Sequence, residues 1–343
     1  MSNTVINPYN FAVASVGAWK ELDRTTLGSG NSTINVSGLA DKRYYMILSY
    51  TLGNGNNNVR CRLNADTAAN YANRWTSNGA ADSSEVNKNW QHYDPNVVGK
   101  LNGFTVGYLS NLSTKEKLDM FDSAGQMAAG AGNAPSRSET GNKWANTSAA
   151  FDEIDVINEG GTFDTGSEVV VLGYDPTDTH TEADNFWQEL ASVELGGAAD
   201  NIDSGTITAK KYLWVQCYIN TAGTALNQAI QFNGDTVGNY ARRSSANGTA
   251  DTTSVNANSI YGAATGDAFN KFVNVFIINN SANEKLVIRH DLDVAGTGAG
   301  TAPQRAETVG KWANTSSQIT SIKLSHERTL QGLRTGLQQF YYA

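Results

Sequence analysis

The segment APSRSETGNKWANTS, residues 134–148, returns as APQRAETVGKWANTS at residues 302–316, with eleven of fifteen positions identical. The offset of 168 recurs well beyond this segment. WKELDRTTLG from Trp19 answers WQELASVELG from Trp187, and KRYYMILSY from Lys42 answers KKYLWVQCY from Lys210. EKLDM from Glu116 answers EKLVI from Glu284, while in between RLNADTAANYANR from Arg62 meets QFNGDTVGNYARR from Gln231 at an offset of 169. A unit of about 160 residues is too long for a solenoid repeat and long enough to enclose its own core. The reading is a tandem duplication: an N-terminal arm over 1–18, repeat one over 19–174, a linker over 175–186 and repeat two over 187–343. The linker carries DPTDTHTEAD, which is polar, acidic and without apolar periodicity.

Each repeat reads as strands. RYYMILSYTL and KYLWVQCYI are apolar runs, FTVGYLS alternates, and FDEIDVIN and ITSIKLS place apolar residues on one face. Between them lie turn signals such as GNGNNN, NADT, SNG and NEGG. Eight or nine strands per repeat are expected, and no segment has helical periodicity. The fold class is therefore all-β: two tandem antiparallel β-sandwich domains, jelly-roll-like. An immunoglobulin-like sandwich is the weaker choice, since the repeat is long for it and lacks the Cys…Trp…Cys spacing.

Composition narrows the function. Hydrophobic residues are 40% and charged residues 17%, which is not the balance of a disordered chain. A net charge of -8 argues against nucleic acid as the partner. Cys61 and Cys217 do not correspond between repeats and read as small buried apolar residues. No signal peptide and no apolar run of membrane-spanning length are visible, so neither export nor a membrane partner is expected.

Two duplicated boxes are the candidate sites. The first holds Asn64, Asp66, Asn70 and Tyr71, repeated as Asn233, Asp235, Asn239 and Tyr240. A sugar or metal site is one reading. An Asx-type turn is preferred, because one Asp supplies too few oxygens for calcium and short polar side chains cap nearby N–H groups. The second box holds Arg137, Glu139, Lys143 and Trp144, repeated as Arg305, Glu307, Lys311 and Trp312. Arg and Glu two apart on a strand share a face and suit an ion pair with a neighbouring strand. The Trp reads as a buried anchor, with sugar stacking as the alternative. Asp291 and Asp293 loosely resemble a calcium loop, but repeat one lacks both. None of the four histidines has a histidine at its counterpart, which excludes a duplicated His cluster. No catalytic residue, metal or cofactor is expected.

Taken together, FNGDTVGNYARR…NGTADTTSV and APQRAETVGKWANTSSQITSIKL resemble a pattern in virion proteins of tailed bacteriophages. The resemblance covers most of each repeat. It implies a jelly-roll-like sandwich on a phage particle, as a capsid decoration protein, head fibre or tail component, without catalytic residues. Repeat one departs from it in having Ala65 where repeat two has Gly, which questions whether the two turns share a backbone conformation. The expected partners are a major capsid protein or other virion protein and further copies of the chain, with a trimer fitting capsid threefold positions. The location is the virion, assembled in the host cytoplasm; host surface glycans are the partner in the alternative, adhesin reading. The arm, with Val5, Ile6, Tyr9, Phe11 and Val13, is the candidate anchor, able to add a strand to a neighbour's sheet.

Overall fold

The computed structural model describes residues 18–55, 58–95, 99–178, 184–197, 199–219, 228–262, 270–296, 298–326 and 337–342. The arm residues Val5, Ile6, Tyr9, Phe11 and Val13 lie outside the described residues. Among the described residues the chain is all-β and every strand pairing is antiparallel.

Repeat one contains β1 (Lys20–Thr26), β2 (Thr33–Ser37), β3 (Tyr44–Gly55), β4 (Val59–Leu63), β5 (Tyr71–Ser77), β6 (Ser83–Lys88), β7 (Gln91–Asp94), β8 (Lys100–Ser110), β9 (Lys117–Gln126), β10 (Ser136–Trp144), β11 (Glu153–Asn158) and β12 (Glu168–Tyr174). They form a large sheet, β1-β12-β3-β8-β9-β10-β5-β6, and a small one, β2-β11-β4-β7. Repeat two contains β13 (Gln188–Glu194), β14 (Asn201–Asp203), β15 (Tyr212–Ile219), β16 (Gln228–Phe232), β17 (Tyr240–Ala246), β18 (Thr252–Ala257), β19 (Ile260–Tyr261), β20 (Lys271–Ile278), β21 (Lys285–Asp293), β22 (Gln304–Trp312), β23 (Ile322–His326) and β24 (Leu337–Tyr342). Its sheets, β13-β24-β15-β20-β21-β22-β17-β18 and β14-β23-β16-β19, repeat the same wiring. Twelve strands per repeat exceed the eight or nine expected. The extra ones are short or polar: β6 (SSEVNK) exposes most of its side chains and β7 (QHYD) has four residues, so neither announces itself by apolar alternation.

Inside repeat one, Ile34, Val36, Cys61, Leu63, Ile154 and Val156 of the small sheet pack against Tyr45, Ile47, Leu109, Phe121, Val169 and Val171 of the large one. β11 alternates buried and half-buried positions, as a strand with one covered face must. β12 and the middle of β3 do not alternate: EVVVLG and YMILSY are buried throughout. The reason is a third apolar core. Met46, Leu48, Tyr50, Phe104, Val106, Val170 and Leu172 point away from repeat one's own interior and pack with Trp187, Tyr212, Phe276, Ile278, Leu286 and Ile288 of repeat two. The two large sheets thus lie face to face, giving four layers. A continuous apolar run is the sequence mark of a strand covered on both faces.

Polar contacts tie the layers together. Arg137 Nη2 donates to Asp251 Oδ1 at 2.8 Å, Tyr212 Oη to Glu168 Oε1 at 2.8 Å, and Arg243 Nε to the Pro135 carbonyl at 2.9 Å. Gly79 follows Asn78 in a two-residue turn with positive φ at both, closed by the Ala80 N–H to Ser77 carbonyl bond. A Cβ on Gly79 would come 2.5 Å from the Asp251 main-chain nitrogen, so this position also requires Gly for close approach. Asp122 and His290 hold equivalent positions and face each other at 3.6 Å. The contact network is nevertheless not duplicated: Arg305 and Asp82, equivalent to Arg137 and Asp251, have side chains 59% and 55% exposed.

Candidate functional site

The two boxes meet in space. In repeat one the Asp66 carboxylate accepts hydrogen bonds from Trp144 Nε1 (2.8 Å), Asn70 Nδ2 (2.8 Å) and the Ala68 N–H (2.8 Å). In repeat two Asp235 accepts from Trp312 Nε1 (2.8 Å), Asn239 Nδ2 (2.8 Å) and the Val237 N–H (3.1 Å). Tyr71 Oη accepts from the Leu63 N–H and donates to the Asp66 carbonyl, and Tyr240 does the same with Phe232 and Asp235. Asn64 caps the Asp152 N–H and donates to the Ala150 carbonyl; Asn233 treats Thr320 and Gln318 likewise. Trp144 and Trp312 are fully buried, each with a lysine above its ring, Lys117 at 5.3 Å and Lys285 at 5.5 Å. Desolvation pushes the Asp66 and Asp235 carboxyls up, but the hydrogen bonds from Asn70 and Trp144, or Asn239 and Trp312, together with the main-chain donor, outweigh it. Both lie below the usual carboxylate range. These residues therefore knit a turn to a strand.

The turn itself is of type I′. Asn64 and Ala65 have φ of 52° and 50°, Asn233 and Gly234 of 53° and 68°, so Ala65 adopts the same left-handed backbone as the glycine. Arg137 and Arg305 depart from the expected pairing with a neighbouring strand. Each bonds the Glu two residues along its own strand, Glu139 or Glu307, and Arg137 reaches across to Asp251 in the other repeat. For Arg137 the reason is that its buried guanidinium faces the other repeat, whereas Arg305 stands 59% exposed at the equivalent position.

Strongly displaced protonation equilibria occur, yet in enclosed places. Burial raises Asp119 to about 7 against the opposing hydrogen bonds from Asn142 and Gln91. Burial lowers Lys100 to about 7, and the cavity beside it is about 20 Å³, room for a water. His92 is lowered to about 4 by burial and by Arg60 and Lys88, and its ring sits between Trp75 and Trp90. Asp291 and Asp293 are paired with Arg289 and Lys271 rather than converging on an open centre. Among the described residues no group of three or more His, Cys, Asp or Glu side chains could hold a metal ion.

What faces outward and belongs to one repeat only is a groove of about 380 Å³ on repeat one, lined by Trp19, Tyr44, Tyr108, Leu118 and Met120 among others. Trp19 and Tyr44 flank Tyr174 at ring distances of 5.7 and 6.2 Å. Leu118 and Met120 are 57% and 59% exposed. Sequence reasoning missed these residues. The signal that points to them is positional: Ser110 lines the groove where repeat two has Ile278.

No family model and no curated protein matches this chain. Among solved structures, domains LG4-5 of the mouse laminin alpha1 chain are similar at 8% identity, over 95% of this chain and 90% of that one, with a TM-score of 0.20. A223, a turret protein in Sulfolobus turreted icosahedral virus, is similar at 10% identity, over 95% of this chain and 97% of that one, with a TM-score of 0.13. Superpositions this loose carry neither fold nor function to this chain.

Proposed function

We propose that this chain is a non-enzymatic structural protein of a tailed-phage particle, with a capsid decoration protein on the outer shell as the specific role. The observation that carries the reading is where the duplicated residues go. Asp66, Asn70, Tyr71 and Trp144, like Asp235, Asn239, Tyr240 and Trp312, are engaged in hydrogen bonds that hold the sandwich. Duplication has therefore copied a rigid framework. The phage-like motifs are the same residues, and the jelly-roll-like wiring belongs to this reading. In it the partners are a major capsid protein or other virion protein and further copies of the chain, a trimer at threefold positions. The arm is the anchor and assembly takes place in the host cytoplasm.

The alternative is a receptor-binding or adhesin role toward host glycans. The Trp19–Tyr174–Tyr44 ring cluster favours it, since sugars stack on exposed aromatic faces. Against it, the groove wall is largely apolar, with Trp19, Leu118 and Met120 along it, and Asp119 turns its carboxylate away from Leu118 and Met120 to Gln91 and Asn142 inside the sandwich. The test is to separate purified heads from tails and locate the chain by quantitative mass spectrometry. Recovery with heads supports decoration. Recovery with tail tips, together with glycan-array binding, replaces it with the adhesin.

A further inference from the structure

The outer face of each large sheet carries two apolar halves, set in matching places by the strand registers. The first half lies at Tyr44, Tyr108, Leu118 and Met120 in repeat one, equivalent to Tyr212, Phe276, Leu286 and Ile288 in repeat two. The second lies at Tyr50, Phe104 and Ala124, equivalent to Tyr218, Phe272 and Leu292: Phe104 pairs with Tyr50 and Ala124, as Phe272 pairs with Tyr218 and Leu292. The inter-repeat core joins unlike halves. Tyr50, Phe104 and Ala124 of repeat one are buried with Tyr212, Phe276, Leu286 and Ile288 of repeat two, and the Phe104 and Tyr212 rings lie 6.4 Å apart. Left over are the first half of repeat one, which is the groove, and the second half of repeat two. Tyr44, Leu118 and Met120 are exposed, and so are Tyr218, Phe272 and Leu292, so the two leftover halves do not cover each other within one chain. Both run on from the buried core: Trp19 and Tyr108 of the groove pack against it, as does Trp214, on the same face of β15 as Tyr218.

We propose that the groove of repeat one in one copy of the chain receives the Tyr218–Phe272–Leu292 row of repeat two in another copy, repeating between chains the contact that joins the repeats within one. The internal contact shows what covers a first half: a second half of the same fold. The exposed second half belongs to repeat two of this same chain, so a further copy brings the matching surface. Phe272 of one copy then lies against Tyr44 of the other, as Phe104 lies against Tyr212 inside the chain. The sizes compensate, since the groove has Ser110 where repeat two has Ile278, and the facing row has Leu292 where repeat one has Ala124. Tyr, Phe and Met are the residue types concentrated at interface centres, and contiguous exposed apolar surface marks a contact between proteins. Each copy has one surface of each kind and can both give and receive the contact. The inference gives a surface to the copy-to-copy contact of the function proposed above and rests on that part of it alone. Purified chain is enough to test it, so its failure and a failure of the virion location are separate results.

The test is the mass of the purified chain by light scattering at about 50 μM, where a contact of micromolar Kd is nearly saturated. The full chain should give a mass above that of one copy. Met120→Asp and Phe272→Asp should each return it to one copy, because either places an unpaired carboxylate in an apolar contact. Both residues are exposed, and circular dichroism establishes that the variants are folded. Thiol cross-linking then reads which surfaces meet, since native Cys61 and Cys217 are buried and react slowly. A mixture of Tyr44→Cys and Phe272→Cys chains treated with a short bismaleimide should give about tenfold more linked pairs than either variant alone, the mark of a tenfold preference for unlike over like surfaces. A single-copy mass for the unmodified chain overturns the proposal, as does an oligomer that survives both Asp variants. Tyr44→Cys alone linking as well as the mixture means that groove meets groove, and this also overturns it.

Discussion

Replacing Asp66 by Ala removes the acceptor on which Trp144 Nε1, Asn70 Nδ2 and the Ala68 N–H converge, all at 2.8 Å. A hydrogen bond to a charged group is worth about 1.5–3 kcal/mol. Asn70 and Ala68 stand near solvent and can turn to water, but Trp144 is buried and its N–H loses its only described partner. A buried donor left unmade costs about 1–3 kcal/mol on its own. The sum, allowing for water at the outer two donors, is about 3–5 kcal/mol, a large part of the stability of an ordinary domain, about 5–15 kcal/mol. Urea unfolding followed by circular dichroism measures it, with unchanged m-values confirming that the same surface unfolds. Trp144→Phe supplies the other side of a double-mutant cycle, and a coupling of about 1.5–3 kcal/mol is expected. Asp235→Ala should cost as much, since its geometry is the same. A loss under about 1 kcal/mol, or a coupling near zero, refutes the view that the two boxes exist to hold each other.

Three further outcomes follow from the same structure. Ala65→Gly should raise stability by about 1 kcal/mol, because Ala at a φ of 50° carries a steric cost that Gly does not; a thermal melt that fails to rise counts against the turn assignment. Arg137→Ala should cost about 3–5 kcal/mol, since it leaves the buried Asp251 without its main partner, whereas Arg305→Ala at the equivalent, exposed position should cost under about 0.5 kcal/mol; equal losses in urea titrations would mean that the inter-repeat contact is symmetric after all. The His92 ring, lowered to about 4, should remain neutral in nuclear magnetic resonance titrations down to about that pH. Between its ordinary value and about 4 the unfolded chain binds more protons there than the folded one, so its contribution to stability falls as pH drops through that window, by at most ~3 kcal/mol. An imidazole titrating near 6.5 would place that ring in solvent.

The sequence made the duplication, the all-β class and the turn character of the Asn-Asp boxes legible, because each is written in local residue patterns. NADT and NGDT carry short polar side chains and a left-handed position, which is turn chemistry wherever it occurs. The bond from Trp144 to Asp66 was not legible, since those residues are 78 apart and nothing local couples them. Nor was the groove. Leu118 and Leu286 are the same residue in the same motif, one 57% exposed and the other buried. The difference arises from how the repeats stack, and periodicity cannot report which copy of a face is covered. The run Met46–Leu48 did carry a trace of that stacking: a strand apolar at every position needs cover on both sides, and one sandwich supplies only one.

The central claim, that the chain is a structural component of a phage shell, is tested most directly by counting it on purified particles. Quantitative mass spectrometry of tail-free heads should find it at a copy number fixed in proportion to the major capsid protein and unchanged by washing at high salt. Heads that lack the chain, or that carry it in amounts varying with the preparation, would contradict the account.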